Sequence, residues 1–124
     1  MRKYKRSARV ADQIKREMSL LVDAVTSGGE FGMVSVTDVT LSDDLRYARV
    51  FVSRLVTGSA DAGQSDLIGF LNERAGKLRA DLAARMRIKF VPEISFAYDE
   101  SIERGMRIES ILNELNQKPS SENE

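Results

Sequence analysis

The 124-residue chain contains no cysteine and no histidine, and it has no long apolar run. Without cysteine it can form neither a disulfide framework nor a thiolate metal site. Without histidine it lacks the usual general base and the commonest transition-metal ligand, which makes catalysis less expected without excluding it. No apolar stretch approaches the ~20 residues that span a bilayer. The basic start MRKYKRSARV lacks the apolar core of a secretory signal, so we expect a cytoplasmic protein with no membrane contact.

Charge is abundant but unevenly placed along the chain. Charged residues make up 31% of the sequence and hydrophobic residues 42%, which is typical of one soluble globular domain. Nineteen basic and nineteen acidic residues cancel in total. Residues 1–16 nevertheless hold seven basic residues against Asp12 alone, whereas residues 99–124 hold seven acids and three bases. This asymmetry predicts one surface suited to a polyanion and another that is not.

Hydrophobic periodicity predicts the order helix, strand, strand, helix, helix, strand, followed by a last short helix. The first helix is expected after an N-cap at Ser7. The strands are predicted over residues 33–41, 47–55 and 90–98, and a phase shift near Thr37–Asp38 predicts a β-bulge in the first of them. A helical stripe runs from about Ser65 through Gly76 to Met86. Most of the aromatic residues fit core positions of these elements.

Two glycine motifs compete as a nucleic-acid clamp. Gly29-Glu30-Phe31-Gly32 has the G-x-x-G spacing of K-homology (KH) RNA-binding modules, but it joins a helix to a strand, so turn glycines are the better interpretation. Arg74-Ala75-Gly76 interrupts the second helical stripe, where a glycine costs roughly 1 kcal/mol relative to alanine. Glycine there permits a kink and a close approach of the backbone to a ligand. The neighbouring basic residues fit either a phosphate-facing surface or an ordinary solvated flank.

Adjacent acidic residues occur only as Asp43–Asp44 and Asp99–Glu100. Both pairs lie in turn signals, where Asp side chains accept hydrogen bonds from nearby backbone amides. A structural role is therefore expected for them, rather than catalysis or metal binding.

Three stretches together resemble the ribosome-binding factor A (RbfA) family. They are RVADQIKREM, VTDVTLSDDLRYARVFVS and LRADLAARMRIKFVPEISFAYDESIERGMRI, and VPEISFAYDESIERG is the most specific part. The resemblance covers roughly residues 5 to 115 of the chain. It implies an α+β, KH-like fold of the second type, in which a three-stranded mixed sheet packs against helices and a kinked helix pair replaces the G-x-x-G loop. Gly76 would be the kink glycine, and Arg74 stands where the family usually has alanine.

On this resemblance we divide the chain into four parts. Residues 1–6 form a basic N-terminal arm, 7–99 the KH-like RNA-binding domain, 100–115 a short C-terminal helical extension and 116–124 a disordered tail. The family implies a monomeric assembly factor that binds the immature small (30S) ribosomal subunit and its 16S rRNA. It assists late maturation and 5′-end processing of the rRNA, particularly in the cold, without being an enzyme.

No catalytic residue, metal, cofactor or small-molecule substrate is expected. The residues predicted to contact RNA are Lys3, Lys5, Arg6, Arg9, Arg16, Arg74, Ala75, Gly76, Lys77, Arg79, Arg85, Arg87 and Lys89. Two alternatives stay open from the residues alone. One is a protein–protein adaptor that uses the acidic C-terminal region. The other, a carboxylate-dependent hydrolase, would require Asp43, Asp44, Asp99 or Glu100.

Overall fold

A computed structural model describes residues 2–55, 63–88 and 90–122. Its elements follow the order predicted for a KH-like fold of the second type, so the α+β class is confirmed. They are α1 (Arg2–Val25), β1 (Met33–Leu41), β2 (Tyr47–Leu55), α2 (Gln64–Glu73), α3 (Ala75–Met86), β3 (Glu93–Tyr98) and α4 (Ser101–Glu122). None of the helices in these ranges is both long and apolar enough to cross a membrane.

The three strands form one mixed sheet in the order β1-β2-β3. Strand β2 pairs antiparallel with β1 and parallel with β3. The register places Val36 opposite Val52 and Asp38 opposite Phe51, so Thr37 is the extra residue of a β-bulge. The bulge predicted from the phase shift is therefore confirmed. The Thr37 hydroxyl donates a hydrogen bond to Asp99 Oδ2 at 2.7 Å, which links the bulge to the end of β3.

Three helices cover one face of this sheet and enclose the core. Apolar residues spaced three or four apart put one face of each helix in the interior, where each side chain gains about 1.5–3 kcal/mol from burial. The buried helical residues are Ile14, Met18 and Val22 of α1, Leu67 and Leu71 of α2, and Leu78, Leu82 and Met86 of α3. The strands contribute Val34, Val39, Ala48, Val50, Val52, Ile94 and Phe96.

The outer edge of β3 is occupied by a side chain of α2. The Phe96 N–H donates to Asn72 Oδ1 at 2.9 Å, and Asn72 Nδ2 donates to the Phe96 carbonyl at 3.4 Å. This paired contact holds the end of α2 against the edge of the sheet. It therefore fixes where the connection between α2 and α3 begins.

The helices at the two ends of the chain are longer than predicted. Helix α1 begins at Arg2 rather than after Ser7, and it includes residues 2–6, because Arg and Lys there are good helix formers. Helix α4 continues beyond Leu115 to Glu122 and includes Pro119. Every described side chain of α4 is exposed. The division into arm, domain, extension and tail stays a prediction.

The loop between α1 and β1 contains both residues of the G-x-x-G sequence. Gly29 and Gly32 have φ values of 80° and 86°, which lie in the left-handed region that favours glycine. The Gly32 N–H donates to the Gly29 carbonyl at 3.2 Å, and the Gly29 N–H donates to the Thr26 carbonyl at 3.4 Å. The interpretation of these residues as turn glycines is confirmed.

Candidate nucleic-acid interface

The break between α2 and α3 lies at a single residue, Arg74. Its φ and ψ angles of −99° and 3° leave the helical region, and its N–H donates to the Leu71 carbonyl at 3.0 Å, three residues back. Its own carbonyl accepts from the Leu78 N–H at 2.9 Å, which begins the hydrogen bonding of α3. The predicted kinked pair is therefore present. Its bend falls at Arg74, however, and the assignment of the bend to Gly76 was wrong.

Gly76 lies in the first turn of α3 with its backbone exposed. It is not among the glycines with positive φ, so an ordinary residue could adopt its conformation. A Cβ built at this position would meet no atom within 4 Å. Neither backbone strain nor packing within the chain explains the glycine. A glycine at this position leaves the surface of the helix bare, and a glycine permits close approach of a ligand to the backbone.

The Arg74 side chain folds back on α2. Its guanidinium carbon lies 3.6 Å from the centre of the Phe70 ring, and Nη1 donates to the Phe70 carbonyl at 3.1 Å. The Phe70 ring in turn contacts the Phe31 ring at a centroid distance of 4.9 Å. Arg74 is thus half-buried and held by a cation–π contact. The next residue, Ala75, is half-buried against the core.

The cations of α3 divide into two groups. Lys77 and Arg87 are exposed, and Arg87 ends α3 in the left-handed conformation with φ 54°. Arg79 is used internally, because its Nε and Nη2 donate to the Val91 carbonyl at 3.2 and 2.8 Å. Arg85 pairs with Glu17 of α1. A guanidinium has five N–H donors, so both arginines keep donors that a ligand could use.

Helix α1 presents its arginines on one exposed face. Arg6, Arg9 and Arg16 are spaced by three and seven residues, which places them on the same side of the helix. The ion pair between Glu17 and Arg85 joins α1 to α3 close to this face. Lys3 and Lys5 are within the helical backbone of α1, but their side chains lie outside the described residues, as does Lys89.

One aspartate of each adjacent acid pair accepts hydrogen bonds within the turn in which it lies. Asp44 accepts from the Ser42 hydroxyl at 2.7 Å and from the Arg46 N–H at 3.1 Å, and these bonds lower its pKa. Asp99 accepts from the Ser101 N–H at 2.9 Å and from Thr37, and hydrogen bonds from Ser101 and Thr37 lower its pKa. The structural interpretation of both aspartates is confirmed. Within the described ranges no group of three His, Cys, Asp or Glu could hold a metal ion.

Two aromatic residues do not fit the core positions that most aromatics occupy. Tyr47, at the start of β2, is 58% exposed, and Phe90, which precedes β3, is 81% exposed. Both line one cavity beside the first turns of α1. Strand periodicity does not constrain Phe90, because it lies before the first paired residue of β3. The strand predicted over residues 90–98 included Phe90, whereas β3 begins at Glu93, and no periodic signal in the sequence separates Phe90 from the core.

Comparison with known proteins gives a consistent result over most of the chain. The family model for ribosome-binding factor A matches residues 6–112. The ribosome-binding factor A of Thermodesulfovibrio yellowstonii is 39% identical over 115 residues, which cover 93% of this chain and 94% of the relative. The corresponding protein of Geobacter metallireducens is 40% identical over 112 residues, which cover 90% and 92% of the two chains.

Solved structures agree with the sequence relatives. The crystal structure of ribosome-binding factor A from Thermus thermophilus has a TM-score of 0.61 and 25% identity, and the match covers 74% of this chain and 94% of that one. A Thermus thermophilus RbfA homology model fitted into a cryo-EM map of a 30S–RbfA complex has a TM-score of 0.59 and 23% identity, and covers 73% and 91%. With at least 112 residues aligned at 39–40% identity to such relatives, the chain belongs to the ribosome-binding factor A family.

Proposed function

We propose that this chain is a non-enzymatic assembly factor that binds the immature 30S subunit through its 16S rRNA. In this role it would act as a monomer in the cytoplasm, during late maturation and 5′-end processing of the rRNA, with its greatest effect in the cold. Family membership supports binding to the ribosome, since the relatives carry that description in their name. The observation that carries the RNA contact is the position of Gly76, an exposed glycine in the first turn after the helix break and next to the exposed Lys77.

Exposed cationic side chains would supply most of the affinity. Arg6, Arg9 and Arg16 share one face of α1, and Lys77 and Arg87 are exposed on and after α3. Each cation that neutralises a phosphate releases condensed counterions from the RNA, which favours binding at low salt. Such contacts position a protein on RNA without reading its sequence, so specificity would come from the shape of the rRNA.

The helix break would supply the close contact. Arg74 is held against Phe70, so the backbone of Ala75 and Gly76 begins α3 from a fixed position. The first turn of a helix exposes N–H groups that have no partner within the helix, and these suit a phosphate oxygen. Because Gly76 has no side chain, an RNA backbone can reach this turn without displacing anything.

No chemical step is part of this proposal. Asp44 and Asp99 are occupied by the turns that they stabilise, which leaves them poorly placed for acid–base work. The chain would hold or reshape a segment of rRNA through binding free energy alone. A processing enzyme would then act on the segment so presented.

Co-sedimentation with purified small subunits, large subunits and whole ribosomes over a range of salt concentrations tests the proposal. Selective binding to small subunits is expected, with log affinity falling against log salt by about 0.7–0.9 per neutralised phosphate. Replacing Arg9 and Arg16 together with Gln should reduce that slope by about 1.4–1.8 if both contact phosphates. Arg49→Gln with Arg107→Gln is the matched control, because these exposed arginines lie on β2 and α4, away from the helix pair. No binding to any particle would contradict the proposal.

A second function is favoured by one observation on α4. Ile108, Ile111, Leu112 and Leu115 recur at helical spacing and are each between 49% and 57% exposed. Such a stripe is typical of a helix that packs against a protein partner, which fits the adaptor alternative. Treating the captured particle with nuclease separates the two functions. An adaptor would stay bound to its protein partner with little salt dependence, whereas an RNA-binding factor would be released.

A further inference from the structure

The cavity lined by Tyr47 and Phe90 has the volume and the lining of a small-ligand site. Its volume is about 840 Å³, within the roughly 300–1,000 Å³ range of ligand pockets. It lies where the first turns of α1, the β1–β2 turn and the segment before β3 meet. Phe90 is 81% exposed, so a second molecule that covered this side chain would gain the free energy of burying it.

We propose that this cavity accepts one unpaired nucleotide of the bound RNA, whose base stacks on Phe90 and Tyr47. This inference rests on the proposed function, because it names a part of the RNA contact. Proteins commonly bind single-stranded nucleic acid with aromatic rings beside cations. The base of each nucleotide stacks on a ring, and the cations neutralise its phosphate. Here the exposed cations at the cavity are Arg6, Arg46 and Arg79, of which Arg79 already donates to the Val91 carbonyl.

The walls of the cavity are held in place by hydrogen bonds. The Glu93 N–H donates to the Arg46 carbonyl at 2.8 Å, which joins the β1–β2 turn to the start of β3. Arg79 donates twice to the Val91 carbonyl, so the chain next to Phe90 is attached to α3. Val91 and Pro92 are buried as well. A preorganised site loses less entropy when a ligand binds, and this favours a specific contact over an adaptable one.

The charges of the lining fit a nucleotide better than a free phosphate. Three arginines line the cavity, but Arg79 is bound to Val91, and the carboxylates of Asp44 and Glu93 lie there as well. Asp44 accepts hydrogen bonds from Ser42 and Arg46, so part of its hydrogen-bonding capacity is used within the turn. An anion placed deep in the cavity would meet these carboxylates. A base can enter between the rings while its phosphate stays near Arg6 and Arg46.

Affinity for purified small subunits tests this inference with matched variants. Phe90→Ala and Tyr47→Ala should each weaken binding by roughly 5- to 100-fold, the range for loss of one stacked base. The salt slope should not change, because no phosphate contact is lost. Phe90→Tyr should restore the affinity. Leu55→Ala, which removes a comparably exposed apolar side chain on β2 outside the cavity, should bind like the wild-type chain.

Two outcomes would contradict the inference that a nucleotide occupies the cavity. Wild-type affinity in Phe90→Ala and Tyr47→Ala would mean that the cavity stays empty. Wild-type affinity in Phe90→Leu, combined with loss in Phe90→Ala, would mean that a protein surface occupies it, since leucine keeps apolar area but cannot stack. Thermal unfolding of each variant checks that the fold is intact.

A single-stranded RNA hexamer and its abasic counterpart separate this inference from the proposed function. NMR signals of the Phe90 and Tyr47 rings should shift with the hexamer and not with the abasic chain, which has the same phosphates. If the wild-type chain fails to bind subunits but shows these shifts, the proposed function fails and the nucleotide site stands. If it binds subunits and the rings do not respond to the hexamer or to substitution, only the nucleotide site fails.

Discussion

Two glycine-containing segments of this chain differ in whether the fold itself needs them. Gly29 and Gly32 have positive φ angles and form the turn between α1 and β1. Gly76 has an ordinary helical conformation and open space around it. Gly29 and Gly32 have the spacing of an RNA clamp, but their positive φ angles make them structural residues of the turn. Gly76 lacks that spacing, and neither its backbone conformation nor its packing requires a glycine. Gly69 is an equally open helical glycine, so an unneeded glycine indicates a binding surface only where other features coincide with it, as the helix break and the exposed Lys77 do at Gly76.

The largest effect on stability should come from the turn. Replacing both Gly29 and Gly32 with alanine forces two L-residues into the left-handed region, at about 1–2 kcal/mol each, so the free energy of unfolding should fall by about 2–4 kcal/mol. Urea denaturation measures this fall. The folded fraction should still bind small subunits like the wild-type chain. Weaker binding by correctly folded protein would place this turn in the RNA contact and break the comparison.

Substitution of Gly76 at the helix break should affect binding rather than stability. Gly76→Leu should weaken binding to small subunits by roughly tenfold, or about 1.4 kcal/mol, because the side chain covers the backbone that RNA approaches. Its stability should hardly change, since no atom lies within 4 Å of the new Cβ. Gly69→Leu is the control, because Gly69 is an equally open helical glycine of α2 outside the break. Unchanged affinity in Gly76→Leu would remove the role given to this residue.

A smaller change at the same position should raise stability. Gly76→Ala lowers the conformational entropy of the unfolded chain and fits an open helical site, so the free energy of unfolding should increase by roughly 0.5–1 kcal/mol. Thermal denaturation reports this as a higher midpoint. A decrease would show that the helix break depends on glycine after all.

The smallest effect on stability should come from replacing Asp99, whose carboxylate accepts hydrogen bonds within the fold. The hydrogen bonds from Ser101 and Thr37 lower the pKa of Asp99. The ionised carboxylate therefore stabilises the folded chain at pH values above the pKa of an unfolded aspartate. This stabilisation is lost as the pH falls below about 4. Asp99→Asn should therefore lower stability by under about 1 kcal/mol at pH 7, with the difference from wild type shrinking in acid. Denaturation at pH 7 and pH 3 gives both values. RNA binding should not change.

Helices, strands and turns could be predicted from the sequence, because hydrophobic periodicity and turn-forming residues are determined by a few neighbouring positions. Strands β1 and β2 begin and end where the alternation predicts, and the bulge at Thr37 follows from a shift of that alternation. The kinked pair was predicted too, but its bend lies at Arg74 because the cation–π contact with Phe70 holds that residue.

The contacts that individual cationic side chains make could not be predicted, because their partners lie far away in the sequence. Arg79 was predicted only as an RNA contact, yet it binds the Val91 carbonyl twelve residues away. Arg85 meets Glu17 across sixty-eight residues of sequence. Phe90 is exposed and lies before β3 begins at Glu93, which no periodic pattern in the sequence records. Charge and aromatic content identify candidates, and tertiary contacts decide among them.

The contact between Asn72 and Phe96 also limits what the sheet can do with other chains. A free strand edge offers N–H and carbonyl groups to any extended segment, and such edges seed aggregation. The Asn72 side-chain amide binds both backbone groups of Phe96, as the peptide group of a neighbouring strand would. One side chain of α2 thereby blocks strand addition in the middle of β3. The β3 edge of the sheet is therefore protected from pairing with a second copy of this chain.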